Sequence, residues 1–263
     1  MLSFNPEYVT AEAKAALKEK FLTGKPFQSV IIDGFFDPEP LRCVLGEFAE
    51  VRHNTSYGDA TTQRKFTCDD WALFPPRIYE LISVLNSGPF VSWLSDITGI
   101  TGLTSDPYLH GGGIHETTVG GFLKMHTDFN FHKILRLDRR INVILFLNEG
   151  WQPDWGGELV LSDKSFTEVV KVPPVFNRMV IFNTNDHSFH GQPDPHTFPE
   201  GNSRKSVAMY YYSNGRPAHE INSHKIGTSY KVRYAGDFPL KDRLRDVVRT
   251  LLGRKRPPRS PTA

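Results

Sequence analysis

The stretch Gly120-Gly121-Phe122-Leu123-Lys124-Met125-His126-Thr127-Asp128-Phe129-Asn130 decides how this chain is read, together with Ser188-Phe189-His190-Gly191 further along. Side chains alternate along a strand, so His126 and Asp128 project from one face and can reach one metal ion, while any third ligand must arrive from elsewhere. His190 is the candidate. Two neutral imidazoles and one carboxylate on one face of an octahedron leave three positions open for reacting molecules. His126, Asp128 and His190 are therefore the candidate metal ligands and the candidate catalytic centre at once.

His-x-Asp alone is a weak signal, because surface loops produce it by chance, so its surroundings decide. Arg139-Arg140-Ile141-Asn142-Val143-Ile144-Leu145-Phe146-Leu147-Asn148 reads as a buried strand, and Trp155-Gly156-Gly157-Glu158-Leu159-Val160-Leu161 as a glycine-led strand after a turn. Arg178-Met179-Val180-Ile181-Phe182 precedes His190, and Ser203-Arg204-Lys205-Ser206-Val207-Ala208-Met209-Tyr210-Tyr211-Tyr212 follows it. Other histidines need no special role. The spacing His187-x-x-His190 falls short of the usual zinc pattern, and His115 is only a candidate for supporting the metal ligands or for facing a substrate.

With these residues assembled, the chain resembles the 2-oxoglutarate- and Fe(II)-dependent oxygenase superfamily, in its prolyl-4-hydroxylase-like branch. The resemblance rests on His126-x-Asp128, the Arg-x-x-Asn-x-x-x-x-Leu-Asn strand ending at Asn148, Trp151, the Gly156-Gly157 pair, His190-Gly191 and Arg204-x-Ser206. It covers roughly residues 106 to 217 and, more loosely, Pro26 to Phe36. It implies a double-stranded β-helix, a cupin-like jelly roll with N-terminal helices packed on its larger sheet. It also implies Fe(II) as cofactor, 2-oxoglutarate and O2 as cosubstrates, and ascorbate as a candidate reductant. Strand patterning by itself would equally suit another sandwich.

A dianionic cosubstrate needs a fixed cation for its far carboxylate, and arginine offers a planar, two-pronged match. Arg204 opens the strand after His190, and Ser206 projects from the same face two residues on, so both are candidate cosubstrate-binding residues. The competing reading is a surface ion pair at Arg204. The chain departs from the resemblance at Phe146, where prolyl-hydroxylase-like proteins commonly carry a tyrosine that helps to bind this carboxylate. Ser206 and Asn142 remain as alternative sources of the missing hydrogen bond, Asn142 because it shares the alternating face of Phe146.

A net charge of +2 gives no global argument for nucleic acid as a partner. Cys43 and Cys68 fit neither a disulfide framework nor a structural zinc site, which suits a reducing compartment. No stretch approaches the roughly 18 apolar residues of a membrane span, and the first residues carry no apolar run suited to a signal peptide. The expected location is cytoplasmic.

In chain order, Thr10 to Phe21 predicts a threonine-capped helix. Phe27 to Phe36 predicts a first strand, and Pro38 to Phe48, Pro76 to Leu85 and Pro89 to Ile97 predict further helices. The polar, turn-rich stretch from His53 to Asp70 reads as a loop or lid. Residues 1–105 are thus expected to brace the core, 106–217 to form the dioxygenase core, and 218–263 to be an extension. In that extension, Leu244, Val247, Val248, Leu251 and Leu252 recur at helical spacing, and Arg254-Lys255-Arg256 begins a basic tail read as solvated rather than as a nucleic-acid or membrane contact.

The expected activity is hydroxylation of an unactivated C–H bond, with a protein or peptide prolyl residue as the first choice of acceptor. The alternatives are a free amino acid or other small molecule, as in natural-product or surface-polymer metabolism, and a metal-free binding module. Acceptor choice is expected to lie in the loops near residues 53–70 and 110–118.

Overall fold

The computed structural model of the chain describes residues 2–217, 220 and 225–230. Its strands in order are β1 (Ser29–Asp33), β2 (Thr55–Gly58), β3 (Thr62–Cys68), β4 (Thr104–Ser105), β5 (Gly113–Thr127), β6 (Asp138–Phe146), β7 (Leu159–Ser162), β8 (Val169–Val172), β9 (Arg178–Asn183), β10 (Phe189–Gln192), β11 (Ser203–Ser213) and β12 (Ser229–Tyr230). The helices are α1 (Ala11–Thr23), α2 (Pro38–Gly46), α3 (Pro76–Leu85) and α4 (Gly88–Thr98). The strands form one curled antiparallel sheet in the order β1-β9-β6-β11-β5-β10-β7-β8, with β3 also pairing β5. This is the jelly-roll arrangement.

The helices begin where local chemistry allows. The Thr10 hydroxyl accepts from the Ala13 N–H at 3.1 Å, and the Ser87 hydroxyl from the Phe90 N–H, each satisfying a donor that the first turn leaves free. Prolines open α2 and α3, where a missing N–H costs nothing.

Alternation then sorts the sheet into two faces. Ile141, Val143 and Leu145 of β6, Met179 and Ile181 of β9, and Val207, Met209 and Tyr211 of β11 join the helices in the main core. Burying each such side chain contributes roughly 1.5–3 kcal/mol. The intervening residues Asn142, Ile144, Arg204, Ser206, Ala208 and Tyr210 line a cavity on the other face.

β5 joins the two halves of the roll. Its first half pairs β11 from Ser203↔Thr118 to Ala208↔Gly113, and its second half pairs β10 at His190↔His126. Gly120 and Gly121 make the bend between them. Gly120 has φ +74°, and a Cβ on Gly121 would lie 2.4 Å from the Thr117 methyl and 2.7 Å from the Thr118 carbonyl oxygen. The bend delivers His126 to the smaller half-sheet.

Three expectations change. Residues 53–70 are largely the β2–β3 hairpin, not a loop, because β3 lies against β5 and completes the edge of the sheet. The strand expected from Trp155 starts only at Leu159, since Pro153–Trp155 is a single helical turn and both following glycines have positive φ. The predicted strand at Phe27 to Phe36 shortens to Ser29–Asp33. The helix predicted over Leu244 to Leu252, and the basic tail, lie outside the described residues. Among the described residues, no helix is long and apolar enough to cross a membrane.

Candidate active site

His126 and His190 are directly opposed on β5 and β10, so their rings meet without any loop to place them; the centroids are 4.4 Å apart. Asp128 lies just past the end of β5, two residues from His126. Its Oδ1 is 3.5 Å from His126 Nε2 and its Oδ2 is 3.2 Å from His190 Nε2. All three side chains are buried.

The hydrogen bonds on the far side of each ring decide what this cluster is. His126 Nδ1 is 2.8 Å from the Lys124 carbonyl oxygen, and His190 Nδ1 is 3.1 Å from that of Ser188. A carbonyl oxygen only accepts, so each Nδ1 carries the proton and each Nε2 presents a lone pair. Two lone pairs and a carboxylate then converge within 4.8 Å, an arrangement that repels itself unless a cation sits between them. Burial, reinforced by the neighbouring His190, lowers the pKa of His126 and favours the neutral, metal-binding form.

Asp128 is held from behind. Arg139 Nη2 and Asn142 Nδ2 both donate to its Oδ2, each at 2.8 Å. Burial opposes ionisation of this carboxyl, but the Arg139 guanidinium outweighs it and holds the group well below the usual carboxylate range. Arg139 is itself clamped, 3.4 Å from the Tyr210 ring centroid and 4.4 Å from that of Phe129.

Across the same cavity lies Arg204. Its Nε donates to the Gly157 carbonyl at 2.7 Å, and its guanidinium carbon is 4.8 Å from the Phe146 ring centroid. Among the described residues no carboxylate pairs with it. Burial pushes this guanidinium down to about 9, as expected of a dehydrated cation that lacks an anion. Gly157 permits the packing: a Cβ there would sit 3.1 Å from Trp151, 3.3 Å from His196 Nε2 and 3.4 Å from Arg204 Cδ.

The cavity between the triplet and Arg204 has a volume of about 390 Å³. Its remaining wall includes Tyr57, Thr62 and Lys65 from the hairpin, His115 from β5, and Tyr230 from β12. Tyr230 pairs with His126 in register, with its ring centroid 5.5 Å from the imidazole.

Residues 112–212 match the family model described as the 2OG-Fe(II) oxygenase superfamily. These residues form a 2OG-Fe(II) oxygenase domain. No curated protein sequence matches the oxygenase. Solved structures do. A Pseudomonas putida prolyl-4-hydroxylase is 18% identical, with a TM-score of 0.53 over 77% of this chain and 100% of the other. A Trichoplax adhaerens prolyl hydroxylase, solved with a hypoxia inducible factor peptide fragment, is 19% identical, with a TM-score of 0.55 over 77% and 90%. HygX from Streptomyces hygroscopicus, solved with nickel and 2-oxoglutarate, is 13% identical, with a TM-score of 0.56 over 88% and 100%. At such identities the likeness is one of fold.

The oxygenase works with Fe(II), 2-oxoglutarate and O2, and its residues fit that set. Carboxylate and imidazole donors suit ferrous iron, and a guanidinium with no carboxylate partner among the described residues suits a carboxylate. The jelly-roll fold is as the sequence reading expected, and the structure places the expected site residues as follows. His126, Asp128 and His190 come together, and Arg204 and Ser206 reach the same cavity. Asn142 also lines it, but is committed elsewhere: its Oδ1 accepts from Arg139 and Thr184, and its Nδ2 donates to Asp128. Ser206 is therefore the better placed of the two alternatives for the hydroxyl missing at Phe146. Asn148 joins strands, its amide bonding to Pro174 and Lys205.

Sequence reasoning missed Lys65, Arg139 and Tyr230. Lys65 escapes because its stretch reads as a loop; within the hairpin a bulge at Arg64, with φ +49°, lets Thr62 and Lys65 both face the cavity although three residues apart. Arg139 was visible only as a cation near the strand start. Tyr230 belongs to a segment treated as an extension.

Proposed function

We propose that the oxygenase hydroxylates an unactivated C–H bond of a protein or peptide prolyl residue, with His126, Asp128 and His190 holding Fe(II) and Arg204 and Ser206 holding the far carboxylate of 2-oxoglutarate. The observation that carries this reading is the convergence of two imidazole lone pairs and a carboxylate at one end of a cavity whose other end holds a buried guanidinium that no carboxylate pairs among the described residues.

The balanced reaction consumes O2, 2-oxoglutarate and the acceptor C–H, and yields succinate, CO2 and the acceptor C–OH. Iron, when bound, supplies the redox chemistry that couples the two oxidations. The chain supplies position. The Lys124 and Ser188 carbonyls fix the imidazole tautomers, and Arg139 and Asn142 keep Asp128 ionised and oriented. Arg204 anchors the cosubstrate from the far side, so that its keto-acid end points at the triplet. A prolyl acceptor draws support from the two prolyl hydroxylases of similar fold, and a small-molecule acceptor from HygX, which has also been solved with hygromycin B bound.

Iron titration of the protein and of His126→Ala, Asp128→Ala and His190→Ala tests the ligands; unchanged affinity in any variant removes that residue from the site. Succinate release and mass analysis with prolyl peptides, free proline and other amino acids test the acceptor. Hydroxylation of free amino acids alone would replace the peptide reading with the small-molecule one.

A further inference from the structure

Among the described residues, one cation in the cavity is left over once iron and 2-oxoglutarate are accounted for. Lys65 lines the cavity from β3, and among the described residues no carboxylate pairs with its ammonium. Thr117 is the register partner of both Lys65 on β3 and Arg204 on β11, so the three side chains share one face in a row across the sheet. The two cations are separated by two strand spacings, roughly 10 Å between Cα atoms.

They also lean apart. Arg204 packs on Phe146 of β6, the neighbour of β11 on the side away from β5. The Lys65 ammonium lies 5.6 Å from the ring centroid of Tyr57 on β2, the neighbour of β3 on its side away from β5. A carboxylate seated at Arg204 is therefore not seated at Lys65.

Charge points the same way. In the loaded site, Fe(II), Arg139, Arg204 and Lys65 stand against Asp128 and the two carboxylates of 2-oxoglutarate, which leaves positive charge in excess in a partly dehydrated cavity. Such an excess is costly until an anion offsets it. Burial already pulls the Lys65 ammonium down to about 8, against the attraction of Asp128 and with the repulsion of Arg204.

We propose that Lys65 is a specificity-determining residue that anchors a carboxylate of the acceptor, so that the oxygenase favours acceptors carrying an anionic group near the oxidised carbon. This rests on the reading in which Arg204 holds the cosubstrate and the triplet holds iron. The carboxylate has two possible sources, the free α-carboxylate of a terminal or free amino acid, or an acidic side chain beside an internal target residue.

The test is calorimetric binding to anaerobic protein loaded with Fe(II) and 2-oxoglutarate. Three matched pairs serve as probes: N-acetylproline against its amide, acetyl-Pro-Glu-amide against acetyl-Pro-Gln-amide, and N-acetylvaline against its amide. The anionic member of at least one pair is expected to bind about tenfold more tightly or better, a step of roughly 1.4 kcal/mol. Lys65→Met erases that preference, Lys65→Arg keeps most of it, and the affinity of Lys65→Met for 2-oxoglutarate stays within about twofold. The first pair reports an α-carboxylate and the second an acidic side chain. Circular dichroism and iron binding show that Lys65→Met is folded.

Absence of anionic preference in every pair overturns the proposal, as does a preference that survives in Lys65→Met. A large loss of 2-oxoglutarate affinity in Lys65→Met also overturns it, by assigning the lysine to the cosubstrate. A preference confined to the valine pair, with no proline hydroxylation under O2, upholds Lys65 and removes the prolyl reading. Proline hydroxylation without anionic preference does the reverse.

Discussion

Arg139 and Asp128 form a buried ion pair directly behind the His126–Asp128–His190 triplet, Nη2 to Oδ2 at 2.8 Å, with the guanidinium fully enclosed between Tyr210 and Phe129. The pair explains how a dehydrated carboxylate stays ionised beside two imidazoles. It also removes Arg139 from the cations available to a cosubstrate. Arg140, its neighbour, points elsewhere, to Ser213, Gly215 and Glu220.

Arg139→Met is therefore expected to weaken Fe(II) binding by about 10- to 100-fold, the usual range when a group orienting a metal ligand is lost. It should also lower stability by a few kcal/mol, because the carboxylate is left buried without its cation. Iron titration and denaturant melts measure the two effects. Wild-type iron affinity in a folded variant would show that Asn142 alone orients Asp128.

Arg204→Ala should raise the 2-oxoglutarate requirement roughly a hundredfold or more while leaving iron bound, since a buried charge-assisted pair is worth a few kcal/mol. Arg204→Lys keeps the charge but not the two-pronged geometry, and should fall between the two. An unaltered cosubstrate constant in Arg204→Ala would shift the anchor to another cation that lines the cavity, such as Lys65.

His196 supplies a pH signature. Its ring is 2% exposed, neither nitrogen has a hydrogen-bond partner among the described residues, and burial together with Arg204 lowers its pKa from 6.5 to about 3. The unfolded chain thus binds a proton between these values that the folded chain refuses. Stability tied to the neutral ring is complete above pH 6.5 and is lost as pH falls towards about 3, about 2 kcal/mol of it by pH 5. In His196→Phe, the drop in unfolding free energy from pH 7 to pH 5 should be smaller by about that amount. Equal drops in both proteins would mean that the ring is solvated in solution.

Deletion of residues 254–263 should leave the uncoupled conversion of 2-oxoglutarate to succinate intact, because every proposed ligand lies upstream of the cut. Succinate release by the shortened protein measures this. A folded, iron-loaded truncation without turnover would give the basic tail a role in the reaction.

The triplet was legible in the sequence because its logic is local. Two residues apart on a strand means one shared face, and the strand pattern around His190 marked it as the distant third member. Arg204 and Ser206 followed from the same alternation on β11, and the helices from caps and prolines that act within one turn. The hairpin at residues 53–70 was not legible. Its polar composition reads as a loop, and only pairing with β5 makes it a strand.

What tertiary structure alone decided is which polar groups are already spoken for. The sequence puts Asn142 on the cavity face, as the fold does, but only packing brings Arg139, Thr184 and Asp128 around its amide and withdraws it from the cosubstrate. The bulge at Arg64 likewise turns Lys65 inward, against a strict two-residue period. Alternation fixes the face on which a side chain stands, because it depends on bonds along one strand. Hydrogen-bond partners and dehydration depend on neighbours that are distant in sequence, and these exist only once the sheet has curled.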